Sequence, residues 1–93
     1  MRLSINERNS IKEALSDVDK DAKVYLFGSR VDDHKKGGDI DLLVFSKKME
    51  LSEKIKFKIK LGDKLGEQKI DIVIPNQYNK NFVSLIMDEA VLL

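Results

Sequence analysis

Leu51-Ser52-Glu53-Lys54-Ile55-Lys56-Phe57-Lys58-Ile59-Lys60-Leu61-Gly62-Asp63-Lys64-Leu65 is the stretch whose conformation sets the topology of this chain. Its centre, Lys54 to Leu61, alternates lysine with an apolar residue, which is a strand signal by period. Leu51, Ile55 and Ile59 also recur at every fourth position, and so do Phe57, Leu61 and Leu65. Those two rows form a broad helical stripe interrupted by Lys58. Strands usually run roughly three to ten residues, so the length of the stretch favours a helix. Gly62 weakens that helix, and Gly66 is a suitable residue just past its end.

The flanking segments give the choice its weight. Ile40 to Phe45 and Lys69 to Ile74 are short apolar runs rich in strand formers, and Pro75 stops the second. With a helix between them, the two strands form a crossover unit and can be parallel neighbours. Asp39 and Asp41 enter the first strand and Asp71 enters the second, so all three reach one sheet edge, on strands about 4.8 Å apart. If residues 54–61 were an intervening strand, Asp71 would lie about twice as far away. The helix is the reading that assembles a site. Side chains alternate along a strand, so Asp39 and Asp41 share a face with Leu43 and Phe45, while Ile40, Leu42 and Val44 point the other way. Val73 shares the Asp71 face, so apolar side chains continue beyond the carboxylates.

Upstream, Lys23 to Phe27 reads as a first strand, ended by Gly28. Running antiparallel to the second strand, it brings Gly28-Ser29 to the same edge. Ser29 can cap a short helical turn from Arg30 to Asp33, whose backbone N–H groups form an anion site. His34-Lys35-Lys36-Gly37-Gly38 is a loop. Ser4 and Glu7 have capping-box spacing, and a helix follows from about Ile5 to Ser16. Asp17 to Ala22 and Ser46 to Glu50 are connections. Phe82, Leu85, Ile86 and Ala90 share one face of a last helix, from about Lys80 to Ala90. Val91-Leu92-Leu93 is an apolar tail that needs cover from its own domain or from a partner. The expected architecture is α/β (α+β): a small three-stranded mixed sheet with flanking helices, in the order helix, strand, short helix, strand, helix, strand, helix.

Composition bounds what such a fold does. The 93 residues predict one domain with one modest core. A net charge of +1 argues against nucleic acid as the main partner. The absence of cysteine removes disulfides and thiolate metal sites. No apolar stretch approaches the roughly 20 residues of a membrane span, and Met1-Arg2-Leu3-Ser4 opens a polar helix, so a cytoplasmic protein is expected. The lysines of residues 54–64 read as a solvated helix face.

Three carboxylates at one point repel unless a cation neutralises them. Oxygen-only ligands suit Mg²⁺, which takes its remaining ligands from water and phosphates. Gly28 lets backbone approach a phosphate, and Ser29 adds a hydroxyl. Arg30 is a candidate for the triphosphate or for a structural acid such as Asp41. The reaction implied is attack on the α-phosphate of a nucleotide, with pyrophosphate leaving.

At Gly28-Ser29, Asp39-Ile40-Asp41 and Asp71 the chain resembles the nucleotidyltransferase superfamily that contains DNA polymerase beta. Nine residues, Arg30 to Gly38, separate Ser29 from Asp39. The longer phrases Leu26-Phe27-Gly28-Ser29-Arg30 and Gly38-Asp39-Ile40-Asp41-Leu42-Leu43-Val44 resemble the minimal nucleotidyltransferases found beside HEPN-domain proteins. That resemblance spans nearly the whole chain. It implies that Asp39, Asp41 and Asp71 ligate Mg²⁺ or Mn²⁺, with Asp71 also orienting or deprotonating the acceptor hydroxyl. It implies that Gly28, Ser29 and Arg30 hold ATP, and that the acceptor is a tyrosine of a HEPN ribonuclease toxin. Val31-Asp32-Asp33 departs from the family pattern, which more often has a small residue and a basic or glycine turn. Transfer to a small-molecule or nucleic-acid hydroxyl, and an antitoxin that masks its toxin without catalysis, are the alternatives. Homo- or hetero-oligomers are compatible with the apolar surface expected beside the carboxylates.

Overall fold

A computed structural model describes residues 1–32, 34, 38–66 and 68–93. Asp33 and residues 35–37, part of the turn and loop expected before the second strand, lie outside the described residues. The chain runs α1 (Ile5–Val18), β1 (Lys23–Phe27), a 3₁₀ turn (Gly28–Val31), β2 (Ile40–Phe45), α2 (Leu51–Leu65), β3 (Ile70–Val73), a second 3₁₀ turn (Pro75–Gln77), α3 (Lys80–Glu89) and β4 (Val91–Leu92).

The deciding stretch is helical. Glu50 accepts from the backbone at its third helical residue, and the Glu53 carboxylate reaches back to the Glu50 N–H, closing a capping box at the α2 entrance. Gly66 ends the helix at φ +76°, a backbone region where side chains are strained. A helix can turn only one face inward. The Phe57 and Leu61 row is buried, while Leu51, Ile55 and Ile59 stay 65%, 51% and 59% exposed. Lys60 and Lys64 reach across to Asp17 and Glu13, both at 3.1 Å, and bind α2 to α1. In an exposed setting such pairs add little stability. The packing of Phe57 and Leu61 against Ile11, Ala14 and Leu15 carries the contact.

The sheet has the order β3-β2-β1-β4. β2 and β3 are parallel, pairing Asp41 with Asp71, and β1 is antiparallel to β2, pairing Phe27 with Asp41. The expected three strands are therefore present, and the tail adds a fourth. Val91 and Leu92 pair antiparallel with Leu26 and Tyr25. The Leu93 N–H donates to the Val24 carbonyl at 3.0 Å, and its side chain is buried in the main core. The tail backbone pairs within the chain because β1 would otherwise leave an unpaired edge, while the Val91 and Leu92 side chains stay exposed.

Each sheet face has its own core. Val24, Leu26, Ile40, Leu42, Val44, Ile70, Ile72 and Ile74 meet α1 and α2. On the other face Leu43 and Val73 meet Ile86 of α3, with Tyr25, Phe27 and Ala90 alongside. The apolar side chains beyond the carboxylates are thus largely covered by α3, and Phe45 at the far end of β2 stays part-exposed and edge-on to Tyr25. Asp19, in the α1–β1 connection, is buried, accepting from the Ser46 hydroxyl at 2.6 Å and the Asp21 N–H at 3.0 Å. Those bonds hold its carboxyl below its usual range. Its surroundings gave no signal in the sequence beyond a charged connection. Among the described residues, no helix is long and apolar enough to cross a membrane.

Candidate active site

The end of β1 and the starts of β2 and β3 coincide at one sheet edge, which brings Gly28, Asp41 and Asp71 together. Asp41 and Asp71 are each the second residue of their strand, on the face that also carries Leu43 and Val73. Asp41 is half-buried; Asp71 is exposed. Burial pushes the Asp41 carboxyl up, and the neighbouring Asp71 and Asp39 push it further, against a smaller opposing effect of Lys69. Asp39 stands just before β2, and its carboxylate lies 3.5 Å from Lys69 Nζ. Both groups are well exposed, so this pair is loosely held.

Gly28 closes the site from below. Its φ is +78°, and a Cβ there would overlap the Asp41 carboxylate oxygen and come within 3.0 Å of its Cγ. Backbone conformation and contact each demand glycine at this position. The turn that follows spans Gly28–Val31 and starts two residues earlier than the Ser29-capped turn expected from sequence. Its cap position is Phe27, with no side-chain cap bond, so Ser29 lies inside the turn.

Arg30 has a different set of partners from those weighed in the sequence. One terminal nitrogen donates to the Arg2 carbonyl at 3.2 Å and the Glu7 carboxylate at 3.4 Å. The other donates to the Gly38 carbonyl at 2.9 Å and the Gln68 side-chain oxygen at 3.1 Å. The structural acid is Glu7 rather than Asp41. Burial disfavours the Glu7 charge, yet bonds from Ser4 and Gln68, together with Arg30, outweigh it and lower the carboxyl. Sequence reading found Glu7 only as the capping-box partner of Ser4, and it does fill that role, accepting from the Ser4 N–H at 2.9 Å. Gln68 and Lys69 were not singled out; their position just before Asp71 was the available signal.

The donor set suits a hard divalent cation: Asp41, Asp71 and Asp39 offer oxygens only, and the first is held against like charge. Mg²⁺ or Mn²⁺ is therefore compatible with these residues. As the side chains stand, no three acids or histidines among the described residues are arranged to hold an ion. The Asp41–Asp71 pair is in place, and Asp39 reaches Lys69 instead.

A mixed sheet that brings a glycine turn and paired aspartates to one edge is the arrangement expected from the resemblance to nucleotidyltransferases. The polymerase beta nucleotidyltransferase family matches residues 9–93, and the chain belongs to that family. Among solved structures, two variants of the toxin–antitoxin MntA-HpeT match its fold with TM-scores of 0.73 and 0.74, at 22% and 21% identity. These matches cover 92% and 95% of this chain and 69% and 71% of the other. A protein assigned as a minimal nucleotidyltransferase matches with a TM-score of 0.69 and 25% identity, covering 92% of this chain and 91% of that one. Comparison with curated proteins gives no match.

Proposed function

We propose that this chain transfers AMP from ATP to a hydroxyl of a partner protein, a HEPN-domain toxin in the pairing its resemblance suggests. The observation that carries the reading is the parallel register of Asp41 with Asp71, with the Gly28 turn pressed against Asp41. Gly28 and Ser29 hold the triphosphate, through backbone N–H groups and the Ser29 hydroxyl. Asp39, Asp41 and Asp71 would hold Mg²⁺ or Mn²⁺, which would supply Lewis-acid stabilisation of charge on the phosphates. Asp71, the more exposed of the paired acids, orients the acceptor hydroxyl and takes its proton. A bond forms between the acceptor oxygen and the α-phosphorus, and the bond to pyrophosphate breaks. The matched toxin–antitoxin folds support a protein acceptor over a small molecule.

The test is co-expression with a HEPN-domain protein encoded beside it, then size-exclusion chromatography and intact mass measurement. A stable complex and one or more added adenylates on the partner are expected, both dependent on ATP and on Asp41 and Asp71. A homodimer that leaves the partner unbound and unmodified refutes the reading. A complex without any mass increase, in the presence of ATP and Mg²⁺, refutes the transfer and leaves masking by binding.

A further inference from the structure

We infer that Arg30 is a positioning residue that sets the placement of the aspartate-bearing strand entrances, and that it does not contact the triphosphate. The inference rests on the nucleotidyltransferase reading of Asp39, Asp41 and Asp71. A guanidinium has five N–H donors in a fixed fork. Here four acceptors, from four separate segments, are met by its two terminal nitrogens: the Arg2 carbonyl, the Glu7 carboxylate, the Gly38 carbonyl and the Gln68 side chain. Its Nε is buried with no acceptor among the described residues, and the side chain is only 15% exposed. A phosphate could be met only by giving up one of these bonds.

Two of the four partners sit at the entrances to the catalytic strands. Gly38 immediately precedes Asp39, and Gln68 lies three residues before Asp71. The same nitrogen of Arg30 bonds both, at 2.9 and 3.1 Å. Just inside this bridge the Ile40 N–H donates to the Lys69 carbonyl at 2.9 Å, the backbone bond that starts the parallel ladder. Arg30 therefore fastens the two entrances together at the point where strand pairing ends.

Glu7 anchors the other side. One carboxylate oxygen caps α1 through Ser4, and the second lies 3.4 Å from Arg30 and 3.3 Å from the Gln68 amide nitrogen. The guanidinium charge is thus neutralised within the fold. Arg2 returns the contact, its backbone N–H donating to the Arg30 carbonyl at 2.7 Å and its guanidinium to the Ser29 carbonyl at 3.1 Å. The turn that carries Ser29 and the entrances that carry the acids are held as one piece. A lysine ammonium keeps the charge but lacks the planar fork that spans these acceptors.

The test compares Arg30→Lys, Arg30→Gln and Gln68→Ala with the unaltered chain, each first shown to be folded by circular dichroism. Calorimetry measures Mn²⁺ affinity in the presence of a non-transferable ATP analogue, and analogue affinity at saturating Mn²⁺. Loss of support behind metal ligands typically weakens metal binding by about 10–100-fold. Both Arg30 variants are expected to lose Mn²⁺ affinity in that range with analogue affinity at saturating Mn²⁺ little changed. Gln68→Ala is expected to lose part of it, and to add little in the Arg30→Lys background because both remove one bridge. If Lys keeps analogue affinity, Gln loses it, and Mn²⁺ affinity is unchanged in both, Arg30 is a phosphate contact and the inference is overturned. If Arg30→Lys does not fold, Gln68→Ala decides, and unchanged Mn²⁺ affinity there overturns the inference. If the unaltered chain binds no Mn²⁺, the reading of the three aspartates fails and the role of Arg30 falls with it.

Discussion

Replacing Gly28 by alanine tests whether the Asp41 carboxylate really occupies the space a side chain would need. Two penalties arise. Holding a non-glycine residue at φ +78° costs roughly 1–2 kcal/mol. The added Cβ overlaps the Asp41 carboxylate oxygen, and forcing extra volume into an occupied site costs roughly 1–3 kcal/mol. Reduced freedom of the unfolded chain offsets about 0.4–1 kcal/mol of this. The net loss is on the order of 1–4 kcal/mol, a large part of the roughly 5–15 kcal/mol typical of a folded domain. Urea denaturation followed by circular dichroism, without metal or nucleotide, reads the loss. With m of about 1–2 kcal/mol/M, the midpoint should fall by roughly 0.5–4 M.

A double-mutant cycle separates the two penalties. In an Asp41→Ala background the carboxylate is gone, and of the three atoms nearest the new Cβ only the Cβ of residue 41, at 3.3 Å, remains. The backbone penalty is common to both backgrounds and cancels. Gly28→Ala should therefore cost about 1–3 kcal/mol less in that background, and this difference is the coupling between the two positions. An equal cost in both backgrounds would mean that Asp41 moves aside freely, and the account of why glycine precedes Ser29 would be wrong.

Phe57→Ala should destabilise by about 3–5 kcal/mol and Ile55→Ala by no more than about 0.5 kcal/mol, measured by urea denaturation, because the Phe57 and Leu61 row of α2 is buried and the Ile55 row is exposed. Asp41 binds its proton more tightly when folded, so its contribution to stability is fully present below the unfolded value near 3.8 and is lost as pH rises through the raised folded value. Asp41→Asn should therefore raise the melting temperature at pH 7 without metal, and the gain should vanish towards pH 3.5; a gain that persists there would contradict this electrostatic origin. Asp71→Asn should abolish adenylate transfer to the partner while keeping much of the ATP affinity, as Gly28 and Ser29 remain; unchanged turnover in a quenched transfer assay removes Asp71 from the mechanism. Asp39→Asn with Asp41→Asn should abolish the increase in ATP affinity that Mg²⁺ or Mn²⁺ produces, read by calorimetry on a chain that stays folded.

Local rules were enough for the elements themselves. The Ser4 and Glu7 capping box, the β-formers of residues 23–27 and 40–45, and Gly66 all act within a few residues of where they stand, so spacing exposes them. The helical reading of residues 51–65 then made β2 and β3 parallel neighbours and brought Asp41 opposite Asp71, because a crossover joins strands that start at the same edge. Two helical rows on one helix are equivalent to any periodicity count; only the layer beneath, built from Ile11, Ala14 and Leu15, selected Phe57 and Leu61 over Leu51, Ile55 and Ile59. The fourth strand likewise depended on an edge that β1 offers only once the sheet exists. Arg30 shows the same division most plainly. Its position after Gly28-Ser29 left phosphate and a structural acid both open; the acceptors that its two terminal nitrogens meet, at residues 2, 7, 38 and 68, come together only in three dimensions. Sequence determined which residues could make the site; long-range packing decided which of them face it and which hold it in place.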